Sequence, residues 1–128
     1  GPRGDDTMPK TVLIVEDNDL NRKLMNDILQ AGGHQTIQTK SGEQAIVLAR
    51  TRQPDLVLMD IRLPDLSGLE AAKRIKEDPD TRHIPVIAVT ALAMDGDEAR
   101  TRRNGCDGYL AKPFSTRALL AMVADFLK

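Results

Sequence analysis

Cysteine is nearly absent from this sequence: Cys106 stands alone among 128 residues. One cysteine cannot close an internal disulfide, which excludes a stapled secreted fold and fits a reducing cytosol, the location expected for this chain. Long apolar runs are missing as well, and none approaches the ~20 residues of a bilayer span. Nor does a secretory signal pattern precede the first apolar run. Charge of one sign is lacking too. Eighteen basic and nineteen acidic residues leave a net charge of −1, so bulk charge marks neither a nucleic-acid binder nor a membrane-surface binder. There is no internal repeat. No G-x-G-x-x-G or G-x-x-x-x-G-K pattern follows an apolar run, which argues against a nucleotide or flavin cradle. His34 and His83 have no Cys or His partner at metal-ligand spacing. Gly1 to Lys10 is polar, Gly/Pro-rich and without period. It reads as an engineered remnant or disordered tail around a natural start at Met8, leaving residues 11–128 as one folded domain.

What the chain does have is a set of short apolar runs, each stopping at a reactive polar residue. Val12-Leu13-Ile14-Val15 runs into Glu16-Asp17, Leu56-Val57-Leu58-Met59 into Asp60, and Val86-Ile87-Ala88-Val89 into Thr90. A weaker run, Tyr109-Leu110-Ala111, ends at Lys112-Pro113. Four-residue runs rich in branched side chains, separated by helical stretches, read as parallel strands buried on both faces. Helix signals lie between them. Asp19 is placed to cap a helix carrying Leu20, Leu24, Met25, Ile28 and Leu29, stopped by Gly32-Gly33. Ser41-Gly42-Glu43-Gln44 and Ser67-Gly68-Leu69-Glu70 are capping-box patterns. They open helices with Ala45, Ile46, Leu48 and Ala49 inward in one case and Leu69, Ala72 and Ile75 in the other. Ser115 is placed to cap a last helix with Leu119, Val123, Phe126 and Leu127 buried.

Strands and helices alternating in this way predict an α/β, doubly wound (βα)5 flavodoxin-like sandwich. The second strand, His34 to Gln38, and the fifth are poorest in apolar residues, so they belong at the edges. The predicted order is 2-1-3-4-5, with the switch point between strands one and three. Ligands in such sheets bind beyond the carboxyl ends of the strands. Glu16, Asp17 and Asp60 should therefore sit side by side, with Thr90 and Lys112 close by. Three adjacent carboxylates repel one another, and a hard divalent cation relieves this. Mg²⁺ is the expected ion, with Mn²⁺ as an alternative. Asp60, central in the group, is the expected nucleophile, because aspartate can form an acyl phosphate. Lys112 would offer a point charge and Thr90 a hydroxyl to phosphoryl oxygens.

Together, and in this order, these residues resemble the receiver domain of two-component response regulators over about Thr11 to Lys128. The finer resemblance is to stand-alone DivK-type regulators of alphaproteobacterial cell-cycle control. It is carried by Val12 to Asn18, Ile84 to Ala91, Asp95-Gly96-Asp97-Glu98 and Gly105-Cys106. The resemblance implies that Asp60 accepts a phosphoryl group from a sensor histidine kinase or phosphotransferase. Glu16, Asp17, Asp60 and the main-chain carbonyl of Arg62 would hold the metal, and the Lys112-Pro113 peptide would be cis. Tyr109 falls where the family carries a switch aromatic that responds as Thr90 moves. Such a protein takes up and loses its phosphoryl group without being a turnover enzyme. It signals by docking, with no nucleic acid and no membrane, as a monomer or alternatively a dimer. Asn18, Leu20, Asn21 and Leu24 at the start of the first helix are the kinase-docking candidates. The fourth helix, fifth strand and fifth helix would form the downstream surface, because Ala93 to Gly105 carries few apolar anchors (Met94, Ala99).

Three details depart from the commonest pattern. The acid pair is Glu-Asp rather than Asp-Asp, giving Glu16 a longer reach. Position 62 is Arg, and Leu92 is apolar where some members place an acid or amide. Arg62 and Leu92 are expected to obstruct the attacking water and prolong the aspartyl phosphate. Taken singly, each residue has a plainer role. Strand-end acids usually cap helices, Lys112 would be a surface lysine, Tyr109 a packing residue, Cys106 a small hydrophobe, and Arg100, Arg102 and Arg103 a solvated face. A haloacid-dehalogenase-type phosphatase would need a second Asp at position 62. A receiver cut from a hybrid kinase and a phosphorylation-independent docking module are the remaining alternatives.

Overall fold

A computed structural model of the chain describes residues 9–91 and 96–128. Five strands alternate with five helices: β1 (Thr11–Val15), α1 (Asp19–Ala31), β2 (Gln35–Thr39), α2 (Gly42–Arg52), β3 (Leu56–Asp60), α3 (Gly68–Glu77), β4 (Val86–Thr90), α4 (Asp97–Arg103), β5 (Gly108–Ala111) and α5 (Thr116–Phe126). All strand pairs are parallel, in the order β2-β1-β3-β4-β5. This is the predicted flavodoxin-like sandwich. Among the described residues, no helix is long and apolar enough to cross a membrane.

Side-chain alternation along the strands explains why the runs are apolar throughout. Leu13, Val15, Val57, Met59, Val86 and Ala88 face one layer, packed against Ala45 and Ala49 of α2 and Ala71, Ala72 and Ile75 of α3. Val12, Ile14, Leu56, Leu58, Ile87 and Val89 face the other, against Met25 and Leu29 of α1 and Leu119 and Val123 of α5. Both faces of β1, β3 and β4 are dry, so no position on those strands tolerates a polar residue until the strand ends.

Several local expectations shift by a residue, each for a clear reason. Asn18, not Asp19, caps α1. Its backbone is extended and its Oδ1 accepts from the Asn21 amide at 2.9 Å, whereas Asp19 is already helical and binds Arg22. The second strand starts at Gln35 because the His34 amide closes the end of α1 on the Leu29 carbonyl at 3.0 Å. The two capping boxes are each half made. Ser41 Oγ accepts from Gln44 N at 3.1 Å, but the Gln44 side chain accepts from Thr39 Oγ1. Ser67 Oγ accepts from Leu69 N, while Glu70 pairs with Arg74 one turn on. Ser115 caps α5 as expected, through the Ala118 amide at 3.0 Å. Phe126 and Leu127 are only half-buried, leaving Leu119 and Val123 as the buried centre of that stripe.

The fourth helix differs most. Leu92, Met94 and the stretch 92–95 lie outside the described residues. Ala99 is exposed rather than anchoring, and Thr101 is the buried residue among the described side chains of α4, its hydroxyl donating to the Glu98 carbonyl at 2.7 Å. A seven-residue helix seated on one buried threonine among its described side chains has little holding it to the sheet.

Candidate metal and phosphoryl site

The acids come together because three strands end at one level. In register, Val15 of β1 lies beside Met59 of β3, and Asp60 lies beside Val89 of β4. Glu16 and Asp60 are therefore the first polar residues past a dry core, and both remain buried, at 1% and 6% exposure. Asp17, one residue further, is exposed. Oxygens of Glu16, Asp17 and Asp60 lie within 4.8 Å of one another. All three donors are hard carboxylate oxygens, which suits Mg²⁺ or Mn²⁺ and not a softer, thiolate-loving ion.

Lys112 enters from the end of β5, its amide donating to the Thr90 carbonyl at 2.7 Å. Its Nζ donates to Glu16 Oε1 at 2.6 Å and to Asp60 Oδ2 at 3.5 Å. The ammonium expected to serve phosphoryl oxygens is thus held chiefly by Glu16. Burial, followed by the neighbouring Asp60 carboxyl, raises the Glu16 pKa above its ordinary value, outweighing the pull of Lys112. Burial alone would lower the Lys112 value, but the hydrogen bond to Glu16 and the charges of Asp60 and Glu16 more than reverse it. The two directions are one statement: three carboxylates face one ammonium, and the excess negative charge calls for a divalent cation.

The surrounding backbone completes the cradle. Asn18 N donates to Glu16 Oε2 at 3.1 Å, and Arg22 donates to the Glu16 carbonyl at 3.0 Å. The Arg62 amide donates to Asp60 Oδ1 at 3.0 Å, while the Arg62 side chain is exposed. Thr90 is buried at the tip of β4. Tyr109 sits on β5 beside Ala88, half-buried against the layer containing α2 and α3. The Lys112-Pro113 peptide is cis, as expected. Beside the acids lies an apolar groove of about 400 Å³, lined by Asn21, Leu24, Met25, Ala91, Lys112, Pro113 and Phe114. On its α1 side Leu20 and Leu24 are 75% and 53% exposed, unusual for large apolar residues, and Asn18 is exposed next to them.

One residue near the site went unnoticed in the sequence. Asp65, in the loop after β3, accepts from Ser41 Oγ at 2.9 Å and from the Gly42 and Glu43 amides at 3.0 Å each. No local pattern announces such a bond, because the partners are more than twenty residues away. Leu92 lies outside the described residues, so the expected obstruction of water has no structural account on that side.

The sequence from residue 12 to 124 matches the response regulator receiver domain model. The chain belongs to the response regulator receiver family. This receiver is 53% identical to the polar-differentiation response regulator DivK of Brucella anthropi, over 94% of this chain and 98% of DivK. It is equally similar to DivK of Brucella ovis. Among solved structures, it resembles the receiver domain of a sensor histidine kinase from Pseudomonas aeruginosa, at 33% identity and a TM-score of 0.87 over 94% of this chain and 98% of that one. That structure holds a magnesium ion coordinated in its active site cleft. The chemotaxis regulator CheY4 of Vibrio cholerae shares the receiver fold, with a TM-score of 0.87 at 23% identity, over 94% of this chain and all of that one.

Proposed function

We propose that the protein is a DivK-like phosphoacceptor that takes a phosphoryl group onto Asp60 from a sensor histidine kinase or phosphotransferase and signals by docking. The observation that carries this reading is the position of Asp60. It is a buried carboxylate with two acids beside it, an ammonium shared with Glu16 on one of its oxygens and a main-chain amide on the other. One Asp60 oxygen attacks phosphorus, and the bond from phosphorus to the donor's nitrogen or oxygen breaks, its electrons leaving with the donor. Glu16, Asp17, Asp60 and the Arg62 carbonyl would hold Mg²⁺ (or Mn²⁺), which when bound neutralises charge on the transferring group. Lys112, released from Glu16 in proportion as other positive charge arrives, pairs with a phosphoryl oxygen, and Thr90 donates its hydroxyl to another. Tyr109 then repacks as Thr90 moves, biasing the weakly held α4.

Asn21 and Leu24 line the same groove as Lys112, and Asn18 and Leu20 lie exposed beside them at the start of α1, which supports this face as the seat of the phosphodonor. The α4-β5-α5 side would meet the downstream protein. The test is incubation with acetyl phosphate or a phosphoramidate plus Mg²⁺. Intact mass should show one added phosphoryl group on the wild type and none on Asp60→Asn. Wild-type protein without an adduct would leave only a phosphorylation-independent docking module.

A further inference from the structure

The loop from Ile61 to Ser67 has a demanding task, because it must keep Arg62 against Asp60 without any secondary structure of its own. Its first residue stays on the sheet, the Ile61 amide donating to the Val89 carbonyl at 3.1 Å, and three further anchors hold the rest. At its start the Arg62 amide donates to Asp60 Oδ1. At its close the Gly68 amide donates to the Ile61 carbonyl at 2.8 Å, and α3 sits so near the strand end that a Cβ on Gly68 would meet the Asp60 carbonyl oxygen at 2.0 Å. Between these, Asp65 reaches across to α2. Its carboxylate takes two of that helix's orphan amides, Gly42 and Glu43, while Ser41 donates its hydroxyl to Asp65 and accepts from Gln44. The start of α2 is thus capped twice, once locally and once from the loop.

We propose that Asp65 is a positioning residue for the phosphoryl site, its charge on the start of α2 pinning the β3–α3 loop so that the Arg62 main chain stays against Asp60. The inference rests on the functional reading above, in which the Arg62 main chain serves the metal. Its motive is the asymmetry of the anchors. The Arg62 and Gly68 bonds join residues between Asp60 and Gly68 and move with the loop, and the Ile61 amide holds only its first residue, on the Val89 carbonyl of β4, whereas Asp65 fixes the far side of the loop through hydrogen bonds to α2. The Glu43 and Gly42 amides lower the Asp65 pKa to about 2, so the anchor is fully ionised near neutrality. Gly42 is itself confined, since a Cβ there would lie 3.1 Å from the Leu66 carbonyl oxygen and 3.2 Å from its side chain.

Amide hydrogen exchange on the magnesium-free protein, with chelator present, separates positioning from plain stability. In Asp65→Ala the Arg62 amide should exchange about 10-fold faster or more, while the Leu58 amide in the core of β3 changes by a clearly smaller factor. Asp65→Asn, which keeps the volume but not the charge, should fall between. Ser67→Ala removes a bond in the same loop that does not reach α2, and it should leave Arg62 near its wild-type rate. Equal acceleration of Arg62 and Leu58, or equal effects of Ser67→Ala and Asp65→Ala, would overturn the proposal. A calorimetric Mg²⁺ titration follows, in which Asp65→Ala should bind about 10-fold more weakly. If wild-type protein took up no Mg²⁺, the metal reading would fall, while the Arg62 amide would still decide what Asp65 does.

Discussion

Lys112 shows how one residue's partner defines its work. Its 2.6 Å contact is with Glu16, and Asp60 is nearly an ångström further away. Glu16 therefore holds the ammonium beside Asp60, where the proposed phosphoryl group would compete for it. Lys112→Ala removes a preorganised charge from a buried site, and acetyl-phosphate labelling of Asp60 should slow by about 100-fold or more. Intact-mass time courses at fixed Mg²⁺ check this. Cys106 behaves as the plain reading expects. It is buried, and burial followed by the adjacent Asp107 charge raises its thiol to about 11, so it is inert near neutrality.

At the scale of elements, the site depends on how closely α3 abuts β3. Gly68 is needed there for space, with the Asp60 carbonyl and Ile61 Cα where a side chain would begin. Gly68→Ala must push the helix start off the strand end. It should lose about 2 kcal/mol of stability in urea unfolding and also slow phosphoryl uptake. The Asp65 bridge from the loop to α2 carries a pH signature. The folded value of about 2 lies below the ~3.9 of an unfolded aspartate, so its contribution is complete above about pH 4 and lost as pH falls through 2. The Glu43 carboxylate, on the helix that Asp65 caps, pairs with Arg74 at 3.8 Å. Acid unfolding of Asp65→Ala should start from lower stability near neutrality and converge with wild type toward pH 2.

For the whole molecule, the excess negative charge at the sheet edge would couple a bound metal to folding. A cation that binds only the folded cluster stabilises it by mass action, about 2.7 kcal/mol at a hundredfold excess over Kd. Thermal melts should show Tm rising with MgCl2 for wild type and staying nearly flat for Asp17→Asn. A wild-type Tm indifferent to Mg²⁺ would count against a metal on these three acids. The same view picks out α4 as the weakly held helix that the proposed function needs. The other helices bury apolar stripes against one sheet face, and α4 is seated on Thr101 alone among its described side chains.

Local chemistry was enough to read the strands, their order and the convergence of Glu16, Asp17, Asp60, Thr90 and Lys112. Apolar runs buried on both faces must end where a polar residue first appears, and parallel strands place those ends on one edge. Tertiary structure alone decided the partners. That Lys112 binds Glu16 ahead of Asp60, that Gln44 serves Thr39 instead of Ser41, and that Asp65 caps a helix more than twenty residues away all depend on distances between segments. Side-chain hydrogen bonds are short-ranged and indifferent to sequence separation, so no spacing rule along the chain could have named them.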